Sequence, residues 1–216
     1  NAPVYVAIPA GTYTNFAVEF LNGQDSIMRR ILPNDLNLKV NNLYNLTFGA
    51  IPADAFCFTA ESSCSVRLIK VQSAPQCALE YCTIPGGSWK NYNIGAFVML
   101  RNPGDKVCFR ASSKDGVTKF ASSTSDYYKF SVPKGSVSVS GNIMYLLDRT
   151  GVKNNLTEDY TFCCLFKDFT ALVDASGLIL PAETLTNNCY YGMFQGCTGL
   201  TKIGKDDFLV ETLSSN

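Results

Sequence analysis

The sequence of 216 residues contains no histidine, and this absence narrows the chemistry that the protein can perform. Without histidine there is no Ser-His-Asp triad and no Cys-His pair. The zinc geometries that remain are those built from cysteines or carboxylates alone. An enzyme of this composition would depend on carboxylates, lysine, tyrosine or a cysteine without a partner base. We therefore expect a protein with no catalytic residues, no cofactor and no metal.

Long apolar runs and an excess of one charge are also missing. Eighteen basic residues balance eighteen acidic ones, and the longest basic run is Arg29-Arg30. The basic surface that nucleic-acid-binding proteins use is therefore not predicted. No apolar run reaches the roughly 18 residues of a membrane span, so no direct membrane span is expected in this chain. With 46% apolar and 17% charged residues, the composition is that of a globular protein with a core.

The chain has nine cysteines, but the number is odd and no Cys-x-x-Cys motif occurs. A zinc ribbon is therefore not predicted. One interpretation is a disulfide framework, which would fit a secreted protein. The other, which we favour, is that most of the cysteines are small buried apolar residues. The adjacent pair Cys163-Cys164 allows either a vicinal disulfide or one core thiol and one edge thiol.

Short runs rich in β-branched and aromatic residues, separated by turn residues, predict β-strands in the first two thirds of the chain. Residues 1–50 contain five such runs, and Asn22-Gly23 predicts a hairpin turn between two of them. Residues 51–148 contain runs at intervals of about ten residues, which is typical of an immunoglobulin-like β-sandwich. The polar stretch at 111–126 is expected to be a long exposed loop.

From about residue 149 the alternation ends and a repeat begins. The stretches FCCLFKDFTALV (162–173) and YYGMFQGCTGLT (190–201) align at an offset of 28 residues. AETLTNN (182–188) and VETLSSN (210–216) align at the same offset. Two matches at one offset predict a repeated structural unit, and a period of 28 lies within the range of leucine-rich repeats.

Within each copy, aromatic residues four positions apart predict one face of a short helix. Phe162 and Phe166 form this pair in the first copy, and Tyr190 and Phe194 form it in the second. Gly196 is expected to end the second helix with a positive φ. The predicted core of the repeats consists of Phe162, Phe166, Leu172, Tyr190, Phe194, Cys197, Leu200 and Ile203.

The second copy resembles the BspA-like leucine-rich repeat found in surface proteins of host-associated anaerobic bacteria. In that pattern an aromatic residue in a short helix is followed by Gly-Cys-x-x-Leu-x-x-Ile. This sequence has Phe194, Gly196-Cys197, Leu200 and Ile203 at those positions. The first copy departs from the pattern, with Asp168-Phe169 in place of Gly-Cys, as expected of a repeat that caps the stack.

The resemblance extends to the rest of the chain. Residues 51–148 look like the β-sandwich that often precedes such repeats, and residues 1–50 resemble the C-terminal part of a fimbrillin-like domain. We therefore predict a mainly β fold in three parts: a fimbrillin-like segment (1–50), an immunoglobulin-like sandwich (51–148) and two BspA-like repeats forming a short α/β solenoid (149–216). The resemblance implies a protein on the bacterial outer surface, anchored through a segment absent from this chain.

The function implied by the resemblance is non-enzymatic adhesion to a host matrix protein or a bacterial surface protein. Two alternatives stay open: a glycan-binding module and a pilus-like structural subunit. Trp89 and Tyr92 could stack on sugar rings, although a single Trp in a sandwich is more often a core residue. Of Tyr127 and Tyr128, one is expected to face solvent and contact a partner. Ser26, in Asp-Ser-Ile, matches an O-glycosylation triplet of this bacterial group.

Overall fold

The computed structural model describes strands at 11–13, 17–22, 25–31 and 36–38 and, after these, residues 51–204 apart from 53, 85–87 and 114–118. In these residues the protein is mainly β, with fourteen strands and one short 3-10 helix, Ile143–Leu146. The predicted β-rich class is therefore confirmed, whereas the helical part of the predicted solenoid is not observed in the described chain.

The first four strands form two antiparallel pairs. These strands are β1 (Gly11–Tyr13), β2 (Ala17–Asn22), β3 (Asp25–Ile31) and β4 (Leu36–Leu38). β1 pairs with β4, and β2 pairs with β3 so that Asn22 lies opposite Asp25. The hairpin predicted at Asn22-Gly23 is therefore present. The further strands predicted at 4–8 and 43–48 lie outside the described residues.

The ten strands after residue 50 form two sheets. They are β5 (Cys57–Ala60), β6 (Cys64–Val71), β7 (Leu79–Ile84), β8 (Lys90–Tyr92), β9 (Val98–Leu100), β10 (Lys106–Ala111), β11 (Tyr127–Ser131), β12 (Val137–Asn142), β13 (Leu172–Ile179) and β14 (Lys202–Ile203). Seven strands form one sheet in the order β14-β13-β12-β5-β10-β7-β8. The other three form a sheet in the order β11-β6-β9.

The main core lies between these two sheets. Along β6, Val66 and Leu68 are fully buried and alternate with partly exposed residues, which is the period-two pattern of a strand with one buried face. The ring of Phe130 on β11 lies 4.8 Å from that of Phe58 on β5 and 5.2 Å from that of Phe109 on β10. Because β11 belongs to the smaller sheet and β5 and β10 to the larger one, these rings fill the space between the layers.

The larger sheet continues into the repeats without a break. β13 pairs in parallel with β12, and β14 pairs in parallel with β13. A parallel pair needs a crossover connection, which the turn segment of each repeat provides. The ring of Phe166 lies 6.2 Å from that of Phe130 and belongs to the same buried cluster. The boundary expected near residue 148 therefore separates two sequence patterns but not two cores.

The repeats stack on each other at the sequence offset seen in the alignment. We call residues 154–175 the first repeat and residues 182–203 the second repeat. The rings of Phe162 and Tyr190 lie 5.9 Å apart, and those of Phe166 and Phe194 lie 5.3 Å apart. Five amides of the first repeat donate to carbonyls 27 residues later: Tyr160 to Asn187, Phe162 to Cys189, Cys164 to Tyr191, Phe166 to Met193 and Asp168 to Gln195.

The prediction of a short helix in each repeat is wrong. Residues 159–168 and 187–196 are successive turns. Positive φ angles recur every four residues, at Tyr160, Cys164 and Asp168 and again at Asn188, Gly192 and Gly196. Gly196 does have the expected positive φ, of 76°, but within a series of turns rather than after a helix. A four-residue turn period puts residues four apart on one side, as a helix nearly does, so the aromatic spacing fits both structures.

Two features typical of an immunoglobulin domain are not found in the described residues. The disulfide joins Cys57 and Cys108 on neighbouring strands of one sheet, whereas the immunoglobulin bridge links two sheets. Trp89 packs outside the main core. The expected exposed loop at 111–126 also needs correction, because Phe120 is fully buried and its ring lies 5.9 Å from that of Phe162.

Candidate functional site

The described part of the chain contains neither a metal-binding cluster of side chains nor a helix that could span a membrane. No group of three or more His, Cys, Asp or Glu side chains in that part is arranged to hold a metal ion. None of its helices is both long enough and apolar enough to cross a bilayer. Exposed side chains that are chemically suited to bind another molecule are therefore the candidates for a functional site.

Two exposed apolar side chains lie on the outer face of the three-stranded sheet, where β9 pairs with β6. Val98 and Leu100 point inward and are buried, at 7% and 1% exposure. The residues that alternate with them, Phe97 and Met99, are 51% and 57% exposed. Met99 lies opposite Ser65 on β6. The strand therefore has apolar residues on both faces. A sandwich strand with one face in solvent normally has polar residues on that face.

Arg67 adds a cation to this surface. Its guanidinium carbon lies 4.6 Å from the centroid of the Phe97 ring, within the range of a cation–π contact. The Nε of Arg67 is buried and has no acceptor in the described residues. The remaining N–H groups of the guanidinium are donors, so a partner could supply a carboxylate or carbonyl acceptor to them. We call Arg67, Phe97 and Met99 the β9 patch.

The residue types of the β9 patch are those that recur in protein interfaces. Aromatic residues, methionine and arginine are enriched at interface cores relative to the rest of the surface. Contiguous exposed apolar side chains on a soluble domain commonly mark a binding surface. None of the three residues was among the binding residues predicted from the sequence. The available signal was the run Phe97-Val-Met-Leu100, in which every residue is apolar and half must point outward from a strand.

Trp89, the side chain weighed as a sugar platform, is not openly exposed. Its ring packs against a small second cluster on the outer face of the larger sheet, beside the disulfide of Cys57 and Cys108. The guanidinium carbon of Arg110 lies 4.0 Å from the ring centroid. Arg110 is held there by Glu80, at 2.8 Å. The arginine therefore covers part of the ring surface on which a sugar would stack.

Tyr92 is a buried structural residue. It is 6% exposed, and its hydroxyl oxygen both accepts from the Leu68 amide at 2.9 Å and donates to the Ala96 carbonyl at 2.7 Å. These bonds connect β8 of the larger sheet to β6 of the smaller one. The hydroxyl has therefore no open position from which to bind a sugar.

The expectation that either Tyr127 or Tyr128 faces solvent is wrong. Tyr127 is 7% exposed and Tyr128 is 3% exposed. Tyr128 points into the main core, while Tyr127 is covered on the other face by a third cluster that contains Cys163 and Cys164. The turn segment of the first repeat thus covers the face of β11 on which a solvent-exposed tyrosine was expected.

The predicted repeat core divides into three levels of burial. Phe162, Phe166 and Leu172 are fully buried. The second-repeat residues Tyr190, Phe194, Cys197 and Leu200 are half-buried and pack against the main core. The prediction that Ile203 is a core residue is wrong. Ile203 is 45% exposed on the edge strand β14, although its partner on β13, Ala175, is buried. Ser26 lies on β3, where side chains are not described.

The remaining cysteines behave mainly as buried apolar residues. Cys64, Cys77, Cys163, Cys164 and Cys189 are buried, and the Sγ atoms of Cys163 and Cys164 lie 3.5 Å apart. Burial raises the pKa of Cys77 to about 12, and burial together with the neighbouring thiol of Cys164 raises the pKa of Cys163 to about 12. Few of these thiols are ionised at neutral pH, and the thiolate is the reactive form.

Iodoacetamide is therefore expected to label Cys197 of the native protein before Cys77 or Cys163, because Cys197 alone among these three is only half-buried. The measurement is a time course of labelling, followed by peptide mass spectrometry. Denaturation without a reductant serves as the control, and Cys57 and Cys108 should remain unlabelled there because they are joined in the disulfide. Labelling of either of these two before reduction would contradict the assigned pairing.

Comparison with known proteins found no relative of this chain. No protein-family model, no curated protein and no solved structure matches the chain.

Proposed function

We propose that this protein is a non-enzymatic interaction protein of the adhesin type, which binds another protein through the β9 patch. The observation that carries the proposal is the pair of half-exposed apolar side chains, Phe97 and Met99, beside the cation of Arg67. Such side chains contribute most of the binding free energy when a partner removes them from water. The partner should offer an apolar pocket and a carboxylate or carbonyl acceptor for Arg67.

The proposal includes the BspA-like character of the repeats. Its support is the 28-residue period, which appears both in the sequence and in the stacked rings of the two repeats. The absence of helices from the described repeats distinguishes them from the expected α/β form. The disulfide of Cys57 and Cys108 supports a location on the bacterial outer surface, because disulfides persist in oxidising compartments.

A host matrix protein or a bacterial surface protein fits the β9 patch better than a glycan does. Sugar rings stack on open aromatic faces, and the two aromatic rings in question, those of Phe97 and Trp89, each have an arginine over them. Apolar anchors next to an arginine instead resemble the buried centre of a protein interface.

The β9 patch can be tested by replacing both anchors. In a binding screen against immobilised fibronectin, fibrinogen, collagen and intact bacterial cells, the wild-type chain should bind at least one target. The double variant Phe97→Ser and Met99→Ser should bind that target at least about 30-fold more weakly, because each lost anchor costs about 1–2 kcal/mol. Surface plasmon resonance gives both affinities.

Val152→Ser is the matched control, because Val152 is an apolar side chain at 78% exposure outside the patch. It should leave the affinity unchanged. Equal binding by the double variant and the wild type would refute the role of the β9 patch. Binding only to a glycan array, abolished by Trp89→Ala, would replace the proposal with the glycan-binding alternative. Concentration-dependent polymers in sedimentation would instead favour a pilus-like subunit.

A further inference from the structure

The far edge of the second repeat presents a row of backbone donors. In the first repeat, alternate amides from Tyr160 to Asp168 donate to the second repeat. The equivalent amides, 28 residues on, have the same series of positive φ angles and therefore the same direction. None of them donates to a backbone carbonyl of the described residues. These amides are those of Asn188, Tyr190, Gly192, Phe194 and Gly196.

The carbonyls of the same segment are already used. Those at the odd-numbered positions from 187 to 195 accept from the amides of the first repeat. Those at the even-numbered positions from 188 to 196 accept from amides two or three residues later in the second repeat. The edge therefore offers N–H groups and no free carbonyl, so only a segment with available carbonyls can pair with it.

Two aromatic rings lie at this edge and are covered on one side. The Tyr190 and Phe194 rings stack on the first repeat, yet both side chains are only half-buried. The rings on which they stack, Phe162 and Phe166, are 0% exposed. Within the described residues, no further segment pairs with the amides and rings of this edge, whereas the second repeat pairs with those of the first.

We propose that this edge binds a polypeptide segment of another protein, which runs parallel to the second repeat. The segment supplies a carbonyl at every second residue to the five amides. It also carries two aromatic side chains four residues apart, which stack on Tyr190 and Phe194 at the 5–6 Å separation seen between the first and second repeats. This mode is a form of strand addition, in which main-chain bonds give affinity and side-chain spacing gives specificity.

A second intact copy of this chain does not fit the edge. Two copies related by a two-fold axis would place donors against donors. A head-to-tail arrangement is blocked because the opposite side of the first repeat is occupied: the amides of Phe120 and Phe130 donate to the carbonyls of Thr161 and Leu165. The later residues of this sequence, 205–216, contain one aromatic residue, Phe208, and so cannot supply the two rings.

The test is hydrogen exchange of the full chain with a synthetic peptide of residues 182–203, in which both cysteines are replaced by serine. The peptide has the free carbonyls and the ring spacing, because its upstream edge is not covered by a first repeat. At ten times its Kd, the peptide should slow exchange of the amides at 188, 190, 192, 194 and 196 about tenfold. The amides at 189, 191, 193, 195 and 197 already donate within the repeat and should not change.

Two controls separate this edge from nonspecific adhesion. The same peptide with Tyr190→Ala and Phe194→Ala should give no protection, because it lacks the rings. In the protein, Tyr191→Ala should leave protection intact, since the Tyr191 side chain is 56% exposed and its amide already donates to the Asn188 carbonyl. The proposal fails if the even-numbered amides are not slowed by millimolar peptide, or if the ring-free peptide slows them equally. It also fails if the full chain alone dimerises with the same protection.

Discussion

Replacing Phe166 with alanine should destabilise the protein by about 3–5 kcal/mol, which is the range for truncating a fully buried Phe. Phe166 is 0% exposed and connects the two parts of the predicted architecture. Its ring lies 6.4 Å from that of Phe56 and 6.2 Å from that of Phe130 in the sandwich, and 5.3 Å from that of Phe194 in the second repeat. The variant therefore leaves a cavity where the sandwich and the repeats share one core.

Urea unfolding followed by circular dichroism measures this loss. Phe194→Ala is the matched control, since the same side chain is removed at the equivalent position of the second repeat, where Phe194 is only half-buried. It should cost clearly less than Phe166→Ala. If the two variants lost the same free energy of unfolding, the graded burial of the repeats would be wrong. Two separate unfolding transitions in the wild type would contradict a shared core.

The parts of the fold that follow from local patterns could be predicted from the sequence. Val66 and Leu68 are buried as their alternation indicates, because successive strand residues point to opposite faces. The hairpin expected around Asn22-Gly23 is present, with Asn22 paired to Asp25, because Asn and Gly are typical of the short connections between hairpin strands. The 28-residue period is also a property of the sequence alone.

The parts that depend on distant residues could not be predicted in this way. The disulfide joins cysteines 51 positions apart, and it is fixed by the register of β5 against β10. The parallel pairing of β12 with β13 is also nonlocal, so the sequence suggested separate sandwich and repeat domains. Tyr127 shows the consequence for the candidate site. Tyr127 and Tyr128 do point to opposite faces of β11, as strand alternation predicts, but the first repeat covers the face on which Tyr127 lies.

The helix prediction failed for a different reason. Residues four apart lie on one side of a helix, but they also lie on one side of a series of four-residue turns. The turns require a positive φ at every fourth residue, which Gly192 and Gly196 accept readily. In the first repeat the same positions hold Tyr160, Cys164 and Asp168, and no sequence rule favours positive φ for the tyrosine or the cysteine. Only the stacking of one repeat on the other distinguishes the two structures.

Gly141→Ala should be strongly destabilising, because the backbone of β12 approaches another backbone there. Gly141 has a φ of 87°, and a Cβ at this position would overlap the carbonyl oxygens of Ala55 and Asp54. The close approach allows the Asn142 amide to donate to the Asp54 carbonyl at 2.7 Å. We expect a loss of about 1–2 kcal/mol from the positive φ and about 1–3 kcal/mol more from the forced displacement.

Gly95→Ala separates these two contributions. Gly95 has a φ of 88°, nearly that of Gly141, but a Cβ there would have no atom within 4 Å. The alanine variant should therefore lose only the conformational part, about 1–2 kcal/mol. The difference between the two variants, measured by urea unfolding, gives the free energy of the backbone contact that anchors β12. Because β12 is the strand on which β13 pairs, Gly141→Ala should also speed amide exchange in the first repeat, whereas Gly95→Ala should not. Equal losses for both variants would show that β12 is not held by this contact.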